Sequence, residues 1–169
     1  IWRPALRFRR WRPNGREMSL ERTRPPHGGH GERGITVLLR RMHDVVAGEA
    51  TAQERLDRLT SVIASHVVAD VCSIYLRRPD DKLELYSTEG LNREAVHKTL
   101  MNWGEGLVGV VAATQKPLVT AEAPMHPAFV YKAETGEDPL HSFLGVPLIR
   151  SGKALGVLTL QNKAIRRYT

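Results

Sequence analysis

Three groups of side chains in this sequence have types and spacings that could do chemistry: a glycine run, a scatter of histidines with one cysteine, and a set of hydroxyl, amide and charged residues. Gly104-Glu105-Gly106-Leu107-Val108-Gly109 has the spacing of a loop that cradles a dinucleotide pyrophosphate. Such a loop must follow the first strand of a parallel βαβ unit and be answered by an acid about twenty residues on, past a second parallel strand. Here the preceding segment reads as helical and the following strand is a short piece bearing Pro117, so the run is a glycine turn opening an apolar helix. Among the seven histidines, His27 and His30 lie in a Pro- and Gly-rich stretch. His43, His66, His97, His126 and His141 show no HxH, HxxxH or HExxH spacing that would aim two rings at one metal ion.

Cys72 is the sole cysteine, which excludes an internal disulfide framework and any site built on several thiolates. It alternates with Ile74 and Leu76 on an apolar strand face, where a thiol behaves as a small buried hydrophobe. No Ser-His-Asp order, GxSxG elbow or phosphate-loop lysine is present, and no catalytic or metal-binding residue is assigned. What remains is a polar strand face. Ser73 and Tyr75 on one strand and Thr159 and Gln161 on another point, by alternation, away from the apolar face and toward a loop carrying Phe129, Tyr131, Lys132 and Glu134. A mixed lining of this kind suits a small-molecule pocket, and these eight residues are the candidate ligand site. An ordinary loop packed on a sheet with satisfied hydroxyls explains the same pattern, and both readings stand at this point.

The elements that must position these residues follow from periodicity. Ile35, Leu38, Leu39, Met42, Val45 and Val46 recur at three- and four-residue intervals and predict a helix closing near Ala47 or Gly48. A second helix over Ala52–Val68 gathers Leu56, Leu59, Ile63 and Val67 on one face, with Thr51 as its cap. The period then changes to two. Val71–Leu76 and Lys82–Thr88 read as an antiparallel pair, Arg93–Thr99 as a short helix, and the glycine turn continues as a helix to about Thr114. Lys116–Thr120 is a brief edge strand, residues 121–141 form a long loop with little periodicity, and Ser142–Arg150 and Ala154–Asn162 complete the sheet. The order predicts an α+β domain: a central antiparallel sheet with helices on one face and a ligand pocket under loops on the other.

Residues 1–34 hold nine Arg against three Glu, a net +6, whereas the rest of the chain carries only +1 of the total +7. The first 34 residues therefore read as a disordered basic extension, with Met18 as a candidate start and a nucleic-acid arm as the functional alternative, and residues 35–169 as the domain. No apolar run approaches the roughly 18 residues of a membrane span, and one unpaired cysteine suits a reducing cytoplasm. Thr169 would cap a further helix, so the domain is expected to continue beyond it.

Ala69–Leu76, Gly104–Gly109, Ser142–Leu148, and Gly152 through Leu155–Leu158 to Gln161-Asn162 resemble the successive motifs of GAF domains. Ser87–Asn92, Ala123–Phe129, Tyr131 through Glu134–Glu137, and Gln161 through Arg167–Thr169 narrow the resemblance to the amino-terminal GAF domain of nitrogen-type Enzyme I, the phosphoenolpyruvate–protein phosphotransferase. The resemblance implies a regulatory sensor that is not itself a catalyst, joined to an enzyme that uses magnesium to move phosphate from phosphoenolpyruvate to a phosphocarrier protein. It implies glutamine as the expected signal, and no histidine of this chain inherits the phosphoacceptor role. Two other members of the fold do not fit, because methionine sulfoxide reductases need several cysteines and bilin receptors need one beside the pocket. A cyclic-nucleotide GAF domain, suggested by Asn162-Lys163, stays as an alternative, as does a ligand-free homodimerisation module pairing through the Ile35–Val46 stripe.

Overall fold

The computed structural model describes residues 29–136 and 140–168. The bulk of the basic extension, the Glu137–Pro139 stretch of the loop and the cap at Thr169 lie outside them. Two helices, α1 (Gly29–Ala47) and α2 (Ala52–Val67), precede strands β1 (Val71–Arg77) and β2 (Lys82–Glu89). A short strand β3 (Leu100–Asn102), helix α3 (Gly106–Thr114), edge strand β4 (Leu118–Thr120) and the long hairpin β5 (Ser142–Arg150) and β6 (Lys153–Asn162) follow. The six strands form one sheet in the order β3-β2-β1-β6-β5-β4, with every pairing antiparallel.

Helix α2 starts where a capping box forms: the Glu54 amide donates to Thr51 Oγ1 at 3.2 Å and the Thr51 amide donates to Glu54 Oε2 at 2.9 Å. It ends at Val68, which adopts the left-handed conformation at φ 55°. Its buried residues Ile63 and Ala64 pack with Cys72 and Leu160 on one face of the sheet, and Met42 of α1 joins them. On the other face Tyr75, Leu83, Leu85, Phe143 and Val157 pack with Leu107, Val108, Val111 and Ala112 of α3. Alternation therefore sorts β1 as expected, with Cys72 toward the helices and Tyr75 away from them.

Several expectations are corrected. Helix α1 begins at Gly29, ahead of Ile35, because extending a formed helix costs far less than nucleating one. Only part of its apolar stripe turns inward: Leu38, Met42 and Val45 are partly buried, while Ile35, Leu39 and Val46 remain 62%, 60% and 52% exposed. The expected helix over Arg93–Thr99 is a 3₁₀ turn at Arg93–Ala95 followed by β3. Pairing wins there because Met101 enters the core opposite Leu83, and the His97 amide and Thr99 carbonyl already bond to Leu85. Finally, α3 lies on the loop side of the sheet instead of joining α1 and α2. A helix whose residues Gly106 through Gly109, Val111 and Ala112 are all buried needs cover on every side, which the sheet and the loop together provide.

Since β3 precedes Gly104, the glycine run does follow a strand, and the argument against a dinucleotide loop passes to its contacts. The Gly104 amide donates to the Gly109 carbonyl at 3.1 Å, and a Cβ at Gly109 would stand 2.5 Å from the Asn102 carbonyl oxygen. The glycines allow α3 to close against its own entry turn, so the run packs the protein on itself.

Candidate ligand cleft

The cleft between sheet, α3 and loop is lined by Tyr75, Met101, Leu107, Val108, Phe129, Val130, Lys132, Thr135, Phe143 and Gln161. Four of the eight sequence-derived candidates are therefore brought together: Tyr75 and Gln161 from β1 and β6, and Phe129 and Lys132 from the loop. Gln161 is 9% exposed, and its side-chain amide has no hydrogen bond to another described residue. Lys132 supplies the single charge among the described lining residues, and no carboxylate stands among them. The remainder of the wall is apolar.

The other four candidates lie elsewhere. Ser73 and Thr159 occupy the expected sheet face, but both are buried within the ladder. Ser73 Oγ is 2.8 Å from Thr88 Oγ1, and Thr159 Oγ1 donates to the Ser73 carbonyl at 3.5 Å, so these hydroxyls find their partners inside the sheet. Tyr131 is 57% exposed and Glu134 is also exposed, and neither lines the cleft. The cause is local. Ala133–Thr135 is a 3₁₀ turn, in which residues three apart eclipse one another. Lys132 and Thr135 thus share the inner side, and Tyr131 and Glu134 the outer. The turn is locked by Thr135, whose amide and Oγ1 both donate to the Lys132 carbonyl, at 3.2 and 2.7 Å.

Sequence reasoning missed Phe143, Met101, Thr135, Val130 and the α3 residues. Phe143 was within reach of alternation, because it stands directly opposite Gln161 in the β5–β6 register. Met101 was not, since β3 carries no two-residue period long enough to see. Gly145, two residues along the same face, leaves space for the Phe143 ring: a Cβ there would lie 2.8 Å from both the ring and Val111.

The cleft encloses ≈ 40 Å³, enough for about three ordered waters at roughly 10–15 Å³ each. Its cover is residues 121–136 and 140–141, joined to the rest of the domain by the Asn92 amide on the Thr135 carbonyl at 3.1 Å and the His141 amide on the Asn162 carbonyl at 2.9 Å, while the Ala123 amide on the His141 carbonyl at 2.5 Å and the Phe129 amide on the His126 carbonyl at 2.8 Å tie the cover to itself. The cleft thus combines an amide and a cation on otherwise apolar walls under an irregular cover, a mixed lining of the kind small-molecule pockets have. Among the described residues no group of three His, Cys, Asp or Glu side chains could hold a metal ion, and no helix is long and apolar enough to cross a membrane.

Residues 51–169, well over half of the chain, match the GAF domain family. The chain belongs to that family. Over 135 residues it is 33% identical to the "Phosphoenolpyruvate-dependent phosphotransferase system" protein of Escherichia coli strain K12, a match covering 78% of this chain and 18% of that protein. The GAF domain of a phosphoenolpyruvate–protein phosphotransferase (ptsP) from Coxiella burnetii superposes with a TM-score of 0.75 at 31% identity, covering 82% of each chain. A "Nif-specific regulatory protein" of Azospirillum lipoferum is 27% identical over 119 residues, 69% of this chain and 19% of that protein. The chain thus spans less than a fifth of the length of either curated relative. As a GAF domain it has the α+β architecture that the motif series implied, and it resembles the GAF domains of phosphotransferase enzymes.

Proposed function

We propose that this GAF domain is the regulatory sensor of a nitrogen-type phosphoenolpyruvate–protein phosphotransferase, and that a small ligand in the cleft modulates phosphotransfer to a carrier protein by the rest of that enzyme. The observation that carries the reading is the Gln161 amide, without a hydrogen-bond partner among the described residues and lining the same cleft as Lys132. The amide atoms keep access to solvent, so a ligand that bonds to them exchanges water for a fixed partner. Likeness to a phosphotransferase protein and to a nitrogen-fixation regulator supports a nitrogen-linked signal.

Glutamine is the ligand we assign first. Its carboxylate suits Lys132, its amide suits Gln161, and its methylenes suit Met101 and Phe129. The α-ammonium meets only neutral acceptors, because Glu134 points outward, so a 2-oxo acid is the natural competitor. Either ligand is larger than the few waters that ≈ 40 Å³ of cleft holds, and we infer that the cover moves when one binds. That requirement gives the ligand different affinities for a closed and an open state, the condition for allosteric control. Magnesium and the phosphoacceptor group would belong to the catalytic part of the enzyme.

Calorimetric titration of the 169-residue chain with L-glutamine, with 2-oxoglutarate and cyclic nucleotides alongside, tests the assignment. Saturable glutamine binding that Lys132→Met weakens by about 10- to 100-fold is expected, since a charge-assisted bond contributes about 1.5–3 kcal/mol. No heat with any of these ligands, or binding indifferent to Lys132→Met, refutes the cleft as the sensor site.

A further inference from the structure

A second concavity lies at the β2 edge of the sheet, away from the cleft. It has a volume of ≈ 220 Å³ and is lined by Gln53 and Asp57 from the first turns of α2, Thr88 from β2, and Arg93, Val96 and His97 from the segment after β2. Unlike the cleft, it presents both signs of charge together with an apolar side chain.

Its walls are held in place by a chain of hydrogen bonds. The β1–β2 register shifts between Ile74 and Tyr75, which leaves Tyr86 without a partner in β1. Gln53 takes up the Tyr86 carbonyl with its Nε2 at 2.7 Å and donates from the same nitrogen to Asp57 Oδ1 at 3.1 Å. With the amide orientation thus assigned, Gln53 Oε1 faces His97 Nε2 at 3.2 Å, and His97 Nδ1 meets Glu84 Oε1 at 2.7 Å. His97 is held at φ 62°, a left-handed conformation uncommon for a residue with a side chain, by these contacts and by its amide bond to the Leu85 carbonyl.

Two groups in this frame remain able to accept a ligand. Asp57 Oδ1 receives Ser87 Oγ at 2.6 Å as well as Gln53, which leaves Oδ2 open to a further donor. The Arg93 side chain is 76% exposed, and its contact with Glu89, at 3.6 Å, is a loose surface pair that contributes little. An anchored carboxylate and an available planar guanidinium therefore flank one groove, with Val96 between the polar walls and solvent exposure enough for entry.

We propose that this groove is a second ligand site and that it takes a small zwitterion of the α-amino-acid class, its carboxylate on Arg93, its ammonium on Asp57 and its side chain against Val96. The site does not depend on the cleft being a sensor. The two are linked through the backbone, because Asn92, adjacent to Arg93, donates its amide to the carbonyl of Thr135 in the cleft wall at 3.1 Å. A ligand bridging α2 and β2 would also tie the helix to the sheet.

The test is a ¹H–¹⁵N nuclear magnetic resonance titration of the whole chain with L-valine, using isovalerate and isobutylamine as probes bearing only one of the two charges. L-Valine is expected to shift the Gln53, Val96 and His97 signals along a saturable curve, with each half-probe at least tenfold weaker. Arg93→Gln, at an exposed position that the fold does not need, should weaken L-valine by about tenfold or more. Asp57→Asn should do the same, with its melting curve reporting any loss of the Ser87 bond. Persistence of these shifts in Lys132→Met places the probe in the groove. Absence of shifts, half-probes that match L-valine, indifference to Arg93→Gln, or loss in Lys132→Met would each overturn the proposal, and only the last would leave the cleft reading strengthened.

Discussion

A single methyl group at Gly145 should couple the core to the cleft. In Gly145→Ala the new Cβ would stand 2.8 Å from Phe143 Cε1 and from Val111 Cγ2, and 2.9 Å from Phe143 Cζ, where ordinary contact begins at 3.4 Å. The neighbours must yield by about 0.6 Å on each side. Neither has free space, since Phe143 is 2% exposed and Val111 0%. The ring can move only toward the ≈ 40 Å³ cleft that it lines, so the substitution should close the cleft as well as strain the core. Overpacking of this kind costs about 1–3 kcal/mol, or a fall in Tm of roughly 3–15 °C for a domain of this size. Urea unfolding of Gly145→Ala, Phe143→Leu and the double variant gives the coupling directly. Phe143→Leu should destabilise alone but recover at least 1 kcal/mol of the alanine's cost in the double variant, a coupling of about the size found between touching core residues. Gly152→Ala is the control, because nothing lies within 4 Å of its Cβ and its cost arises only from φ 75°. If Gly145→Ala unfolds within 0.5 kcal/mol of the parent, or the two substitutions simply add, the steric reasoning fails.

Two further outcomes follow from the cap of α2 and from the buried thiol. Thr51→Ala removes the side-chain half of the capping box and should cost about 1 kcal/mol in thermal unfolding. The Thr51 backbone bond first and its side chain second hold the Glu54 carboxyl below its ordinary value of 4.5; a lowered value stabilises above that pH and is lost in acid, so the side-chain share that the variant lacks should narrow the gap to the parent as pH falls, and a gap that widens in acid would contradict the box. Burial, then the Glu89 charge, pushes the Cys72 thiol up from 9.0 to about 12, which stabilises the fold below pH 9 and is lost as pH rises toward 12. Cys72 should react with a thiol reagent at neutral pH only at the rate of unfolding, and labelling as fast as in a free peptide would show the strand face to be open.

The sequence by itself determined the elements whose signal is local. The Thr51 cap, the alternation that divides Cys72 from Tyr75, and the β5–β6 hairpin around Ser151-Gly152 each rest on neighbours within a few residues, and all stand as read. The motif series carried the family in the same way. Tertiary structure decided the rest, because those outcomes depend on which partner wins. Strand β3 forms where Met101 pairs with Leu83, and α3 lies on the loop side, where sheet and loop together bury Gly106 through Gly109, Val111 and Ala112. Four of the eight candidate residues entered the cleft; Ser73 and Thr159 found partners across the ladder, and a 3₁₀ turn aimed Lys132 inward while sending Tyr131 and Glu134 out. The groove at Asp57, Arg93 and His97 was invisible in the chain, since it joins residues up to 44 positions apart through a bulge that no local pattern announces. Periodicity says which face a side chain occupies, and only the folded partners say whether its polar atoms are already used.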